Sequence, residues 1–95
     1  MLKSELIKKL NEIDGDFEVT FLNVEYDGYE TINSVDVEHA YKMNEKGHKY
    51  CPSTGTDYLS PNKEKRYLNE NNKDENEFFK ECYYPDKKTI ICLTW

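Results

Sequence analysis

The residue types best suited to chemistry in this chain are a histidine and a cysteine three positions apart, His48 and Cys51. Short knuckles of this kind hold zinc in pairs, but the second knuckle is missing here, so Cys82 and His39 would have to be recruited singly. His48 and Cys51 could also act as base and nucleophile, yet the sequence supplies no oxyanion site and no third orienting group. We therefore predict no enzyme activity and no cofactor, and a zinc site at His48 and Cys51 stays an alternative.

Carboxylates are the most informative chemical groups of the sequence. Nine of them lie between Lys9 and Lys42, an interval without any lysine or arginine. A face that carries them has a negative field, which attracts basic partners and speeds their association. Ordinary surfaces mix both signs, so a binding face is favoured over a merely solvated one. This acidic set comprises Glu12, Asp14, Asp16, Glu18, Glu25, Asp27, Glu30, Asp36 and Glu38.

Two tyrosines, Tyr26 and Tyr29, flank the predicted turn at Asp27-Gly28. Aromatic side chains among carboxylates are typical of the anchors of protein interfaces. Together with most of the acidic set they form the predicted partner-binding site. Its residues are Asp14, Asp16, Glu18, Glu25, Tyr26, Asp27, Tyr29, Glu30, Asp36 and Glu38.

A basic and aromatic stretch offers a different binding site. Interleaved lysines, an arginine and tyrosines between residues 44 and 85 could bind a nucleotide, a nucleic-acid strand or an acidic protein patch. Acids such as Asp57, Glu64 and Glu70 dilute its positive field. The residues that suggest this alternative are Lys46, Lys49, Tyr50, Tyr58, Lys63, Lys65, Arg66 and Tyr67.

The elements that must position these residues begin with an amphipathic helix. Apolar residues at helical spacing predict it near the N-terminus, and Asp14-Gly15-Asp16 ends it with Gly15 as a left-handed residue. Alternating residues from Phe17 predict a strand, whose alternation breaks at Leu22 through a bulge or burial on both faces. The Asp27-Gly28 turn then leads into a second strand that runs to Met43.

The second half of the sequence reads as a polar segment followed by an apolar strand. Pro61 is expected to start a short helix that reaches Leu68, and Asp74 to cap another helix. The closing stretch Thr89 to Trp95 is β-branched and apolar on both faces, which predicts a central strand.

These elements predict an α+β fold in a single domain, residues 1–95. The N-terminal helix packs on a small, mainly antiparallel three-stranded sheet, and a long polar insertion carries one or two short helices. Residues 1–43 form the helix and the strand hairpin, 44–85 the insertion and 86–95 the final strand. The apolar residues of the two ends are expected to form one core around a solvated insertion.

Composition and net charge restrict the cellular compartment and the class of partner that we expect. A net charge of −6 disfavours direct binding to a nucleic-acid backbone. Three cysteines without repeat spacing do not suggest a disulfide framework and fit reduced thiols in a cytoplasm. No stretch is long and apolar enough to span a bilayer, so a membrane partner is not expected either.

A resemblance adds a biological setting. Four stretches combine a short amphipathic helix, a tight glycine turn, an acidic hairpin and an apolar final strand: Glu5 to Leu10, Asp14 to Val19, Ile32 to Val37 and Ile90 to Trp95. This combination, over about half of the chain, resembles small proteins of phages and prophages of low-GC bacteria. Some small acidic phage proteins antagonise host defence, as anti-CRISPR proteins do. The resemblance implies a phage protein of the bacterial host cytoplasm.

The sequence thus predicts a non-enzymatic binding protein, and the resemblance implies that it inhibits a host defence protein. Its acidic face would occupy a basic, nucleic-acid-binding surface, with carboxylates in the places of phosphates. The apolar terminal strand leaves sheet edges that could pair across a two-fold axis, so a homodimer is a further expectation.

Overall fold

The structure is a computed structural model that describes residues 1–51 and 56–94. It has an α+β fold, as the sequence predicts. Residues 52–55 of the predicted insertion, and Trp95 of the predicted final strand, lie outside the described residues. In chain order the elements are α1 (Lys3–Asn11), β1 (Thr20–Asn23), β2 (Gly28–Thr31), β3 (Ser34–Ala40), α2 (Glu45–Tyr50), α3 (Pro61–Tyr67), α4 (Lys73–Cys82) and β4 (Lys88–Thr94).

The described chain divides into two compact units, residues 1–34 and residues 35–94. The first unit contains α1 and the strands β1 and β2. The second contains β3 from Val35 onward, the helices α2 to α4, and β4. In neither unit do the described residues include a helix with the length and apolar content that crossing a membrane requires.

In the first unit, α1 begins and ends through local interactions. The backbone N–H of Leu2 donates a hydrogen bond of 3.3 Å to the carboxylate of Glu5, which satisfies one free donor of the first turn. Gly15 has a φ of 115°, the left-handed conformation predicted for it, but α1 already ends at Asn11 with Glu12 as its C-cap, so Gly15 turns the chain beyond the helix rather than ending it. A Cβ at Gly15 would lie 2.7 Å from Cε2 of Phe17, so glycine also permits the close approach of this ring.

The strands β1 and β2 form an antiparallel hairpin in which Phe21 faces Glu30 and Leu22 faces Tyr29. Its first strand begins at Thr20 rather than at Phe17. The long second strand predicted from the sequence is divided at residues 32 and 33 into β2 and β3. Asn33 lies at this break, and asparagine is among the residues least suited to a strand.

Apolar side chains of the first unit are accessible rather than packed. Every residue from 1 to 34 is exposed or half-buried, including Leu6, Ile7 and Leu10 on the apolar side of α1. The predicted packing of this helix on a three-stranded sheet is therefore not confirmed.

The buried core lies in the second unit, largely within the segment predicted to be a solvated insertion. The expectation that the two ends of the chain form the core is wrong, because a few large apolar side chains within the polar segment converge when α3 and α4 pack together. The core consists of Met43, Leu59, Phe79, Cys82 and Tyr83, with Tyr41, Tyr67 and Phe78 packed against it.

The described strands form two two-stranded sheets, β1–β2 and β3–β4, rather than one sheet of three strands. In the second sheet, Nδ1 of His39 and Oγ1 of Thr89 are hydrogen-bonded at 3.1 Å. The side chains of Ile91 and Leu93 are exposed, so β4 is not buried on both faces. Each strand of a two-stranded sheet is an edge, and the apolar run that suggested a central strand reflects β propensity rather than burial.

Candidate functional site

The tip of the β1–β2 hairpin presents the central residues of the predicted partner-binding site. Residues 24–27 form the turn, after which Gly28 pairs with Asn23. Asp27 has a φ of 51°, a left-handed conformation that aspartate adopts more readily than most residues. The side chains of Tyr26 and Tyr29 are 78% and 77% exposed, so both rings are available to a partner.

Two apolar residues at this tip were not among the predicted binding residues. Leu22 lies opposite Tyr29 and is exposed, and Val24 in the turn is exposed as well. The sequence signal was the break in alternation at Leu22, which suggested a bulge or a doubly buried strand. The hairpin contains no bulge at this position, and the break marks apolar side chains that face solvent.

The members of the acidic set are divided between the two units. Asp36 and Glu38 belong to β3 in the second unit, and the other seven belong to the first. Glu30 differs from the rest because it is half-buried opposite Phe21, and its Oε2 atom is buried without a hydrogen-bond partner among the described residues. The exposed members within the first unit are Glu12, Asp14, Asp16, Glu18, Glu25 and Asp27.

None of these six exposed carboxylates forms an ion pair within residues 1–51 and 56–94. Four ion pairs lie in the second unit instead: Lys46–Glu81, His48–Asp57, Arg66–Glu75 and Lys87–Glu64. The six exposed carboxylates of the first unit thus have no direct ion-pair partner among the described residues, and they outnumber its three lysines, Lys3, Lys8 and Lys9, so the net field of this unit is negative.

In the basic stretch, two of the five predicted cations, Lys46 and Arg66, form ion pairs with nearby acids, and Lys87, which follows this stretch, forms another. Lys46 lies 3.1 Å from Glu81, Arg66 2.9 Å from Glu75 and Lys87 2.6 Å from Glu64. Hydrogen bonds to Glu81 and to Glu64 raise the pKa of Lys46 and of Lys87, respectively. The pKa of Arg66 is raised by a hydrogen bond with Tyr67 and by the charge of Glu75.

One of the three tyrosines of the alternative site, Tyr67, packs against the core. The ring of Tyr67 lies edge-on to Phe78, with centroids 6.0 Å apart, and 6.2 Å from the ring of Tyr83. Burial raises the pKa of Tyr83 to about 12. Tyr67 is thus engaged in packing, and of the predicted basic and aromatic residues Tyr50 retains an exposed ring.

The residues of the alternative zinc site have different surroundings in the fold. Nε2 of His48 lies 3.6 Å from Oδ1 of Asp57, and Cys51 follows α2. Cys82 is fully buried on α4, and this burial raises the pKa of its thiol, which opposes formation of the thiolate that binds metals. Within the described part of the chain, no three His, Cys, Asp or Glu side chains are grouped so that they could hold a metal ion.

Comparisons of the chain with protein families, with curated proteins and with solved structures find no match.

Proposed function

We propose that this chain is a non-enzymatic binding protein that uses its acidic hairpin to occupy a cationic surface of a partner protein. The observation that carries the proposal is the exposed pair Tyr26 and Tyr29 beside Glu25 and Asp27, which have no ion-pair partner among residues 1–51 and 56–94. Exposed aromatic rings supply anchoring, whereas charge mainly supplies orientation and association rate.

Electrostatics defines the class of partner. Carboxylates opposite clusters of arginine and lysine form charge-assisted hydrogen bonds, as phosphates do. A surface that binds nucleic acid carries such clusters, so the proposed partner is a nucleic-acid-binding protein and the proposed effect is competition with its nucleic acid. The resemblance to small phage proteins makes a defence protein in the cytoplasm of a bacterial host the preferred candidate.

The test is capture of proteins from a bacterial host lysate with matched variants of this chain. A double variant, Glu25→Gln with Asp27→Asn, removes two charges at the hairpin tip, and asparagine tolerates the left-handed conformation of Asp27. The control, Glu70→Gln with Glu77→Gln, makes the same change in net charge at exposed positions of the second unit. We expect the hairpin variant to lose the captured protein and the control to retain it.

Competition with DNA tests whether the chain binds the nucleic-acid-binding surface of the captured protein. Double-stranded DNA added at low salt should displace the captured protein, and binding should weaken steeply as salt rises. Equal loss of capture in the hairpin variant and in the control would contradict the proposal, because net charge alone would then explain binding. Capture that DNA does not compete with would exclude a nucleic-acid-binding surface.

A further inference from the structure

An apolar groove lies in the first unit, between the end of α1 and the extended segment that precedes β1. Its volume is about 470 Å³, and its apolar lining comes from Leu10, Ile13, Phe17 and Val19. Gly15, which has a left-handed conformation, lines the groove between the helix and this segment.

The apolar lining of this groove is open to solvent. Phe17 is 71% exposed and Ile13 is 57% exposed, and Val19 and Leu10 are exposed as well. Soluble proteins rarely leave neighbouring apolar side chains uncovered unless they bind something there. Removing this apolar surface from water is favourable, so an apolar side chain seated here contributes to binding.

The charged residues that line the groove indicate which kind of ligand it binds. These residues are Asp16 and Glu18, and neither forms an ion pair within residues 1–51 and 56–94. Apolar surface between two carboxylates is complementary to an apolar side chain that has lysine or arginine beside it, and it repels acidic peptides, anionic lipids and nucleic acid. A second copy of this chain is disfavoured at long range, since each copy has a net charge of −6.

We propose that this groove binds a short cationic amphipathic segment of a partner protein. An aliphatic or aromatic side chain of the segment lies between Ile13 and Phe17, and its lysine or arginine faces Asp16 and Glu18. This inference deepens the proposed function, on which it rests for the class of partner. It adds a second contact, with apolar selectivity, to the contact made by the hairpin tip.

The direct test uses a synthetic amphipathic peptide of leucine and lysine, and a control peptide with glutamate in place of lysine. Methyl and amide NMR spectra of the full chain report the position of binding. We expect the lysine peptide to shift the methyl signals of Leu10, Ile13 and Val19 saturably, and the glutamate peptide to leave them unchanged.

Three variants test the assignment of residues. Phe17→Ala removes an exposed ring, and we expect it to weaken lysine-peptide binding about tenfold. Asp16→Asn with Glu18→Gln should weaken it about fivefold at low salt and little at high salt. The control Glu70→Gln with Glu77→Gln, which makes the same charge change, should leave the affinity as it is.

Other outcomes overturn the inference in distinguishable ways. Equal shifts with both peptides would show binding without charge selection, and shifts confined to Tyr26 and Tyr29 would place binding at the hairpin tip. Concentration-dependent shifts without peptide, together with a dimeric mass, would make a second copy the occupant. If the groove variants keep full capture of the lysate protein while the hairpin variant loses it, the groove is excluded and the proposed function stands.

Discussion

Gly47 is closely surrounded where α2 meets the end of α4. It is buried in α2, and a Cβ added there would lie 2.7 Å from the carbonyl oxygen of Cys82 and against the side chain of Met43. Alanine favours a helix over glycine by about 1 kcal/mol. At Gly47 the clash involves backbone and a buried side chain, so neither can move aside freely.

We therefore predict that Gly47→Ala lowers the free energy of unfolding by about 1–3 kcal/mol, as overpacked sites do. Urea denaturation followed by circular dichroism measures the change. Gly28→Ala is the matched control, since its nearest neighbour, the carbonyl oxygen of Tyr26, would be 3.9 Å from the new Cβ. A stabilised Gly47→Ala protein would mean that α2 is not seated on α4 as described.

At the scale of elements, Asn44 connects the start of α2 to the end of α4. Its Oδ1 accepts a hydrogen bond of 2.9 Å from the backbone N–H of Gly47, and its Nδ2 donates one of 2.9 Å to the carbonyl of Glu81. Its own backbone N–H donates to the carbonyl of Cys82 at 2.9 Å. One side chain thus caps a helix of six residues and holds it against a second helix.

Asn44→Ala is expected to lower the free energy of unfolding by about 2 kcal/mol, since it removes a cap and a bond between helices. The comparison is Asn72→Ala, which removes the cap of α4, where Oδ1 accepts from the N–H of Glu75 at 3.5 Å. The loss at Asn72 should be smaller, about 1 kcal/mol, because its side chain only caps. Thermal denaturation of both variants measures the two losses of stability. Equal losses would contradict the connecting role of Asn44.

Elements with strong local signals were predictable from the sequence. Pro61 at the first helical position and the apolar spacing around Phe79 are sufficient for α3 and α4, although Asn72 caps α4 rather than Asp74. α2 was not predicted, because its sequence Glu45–Tyr50 contains a glycine and no apolar face, and its stability comes from Asn44 and from packing on α4.

Properties that depend on distant contacts were less predictable. Periodicity indicates which side of α1 or β4 is apolar, but it does not say what covers that side. The core was missed for the same reason, since Met43, Leu59 and Phe79 are far apart in a polar sequence and meet only after folding. For the candidate site, the charge of the acidic set and the two tyrosines could be predicted from the sequence. The groove could not, because its shape depends on the backbone around Gly15.

At the scale of the whole molecule, the two units differ in how their polar and apolar groups are used. The second unit contains the buried core and the four ion pairs named above. The first unit combines exposed apolar side chains with six exposed carboxylates that form no ion pair in the described part of the chain. A division of this kind is expected when one part of a small protein maintains the fold and another part meets a partner.

This division predicts unequal local stability. A short helix and a two-stranded hairpin are each marginal alone, and no residue of the first unit is buried. At the C-terminal end of α4, the N–H of the capping residue Tyr83 donates to the carbonyl of Phe79 at 3.1 Å, and both residues are buried in the core. Exchange rates of amides with deuterium are compared after division by the rates of the same amides in the unfolded chain. On this scale, amides of β1 and β2 should exchange at least about tenfold faster than those of the last turn of α4. A tenfold difference corresponds to about 1.4 kcal/mol in the free energy of local opening.

Hydrogen exchange with and without the leucine–lysine peptide extends this prediction to binding. A ligand that covers the groove stabilises the folded first unit by mass action, so exchange of β1 and β2 should slow on saturation. Exchange in α4 should change little, because its opening is governed by the core of the second unit. Equal protection of both units in the free protein would show that they open together, and the low packing of the first unit would then not control its stability.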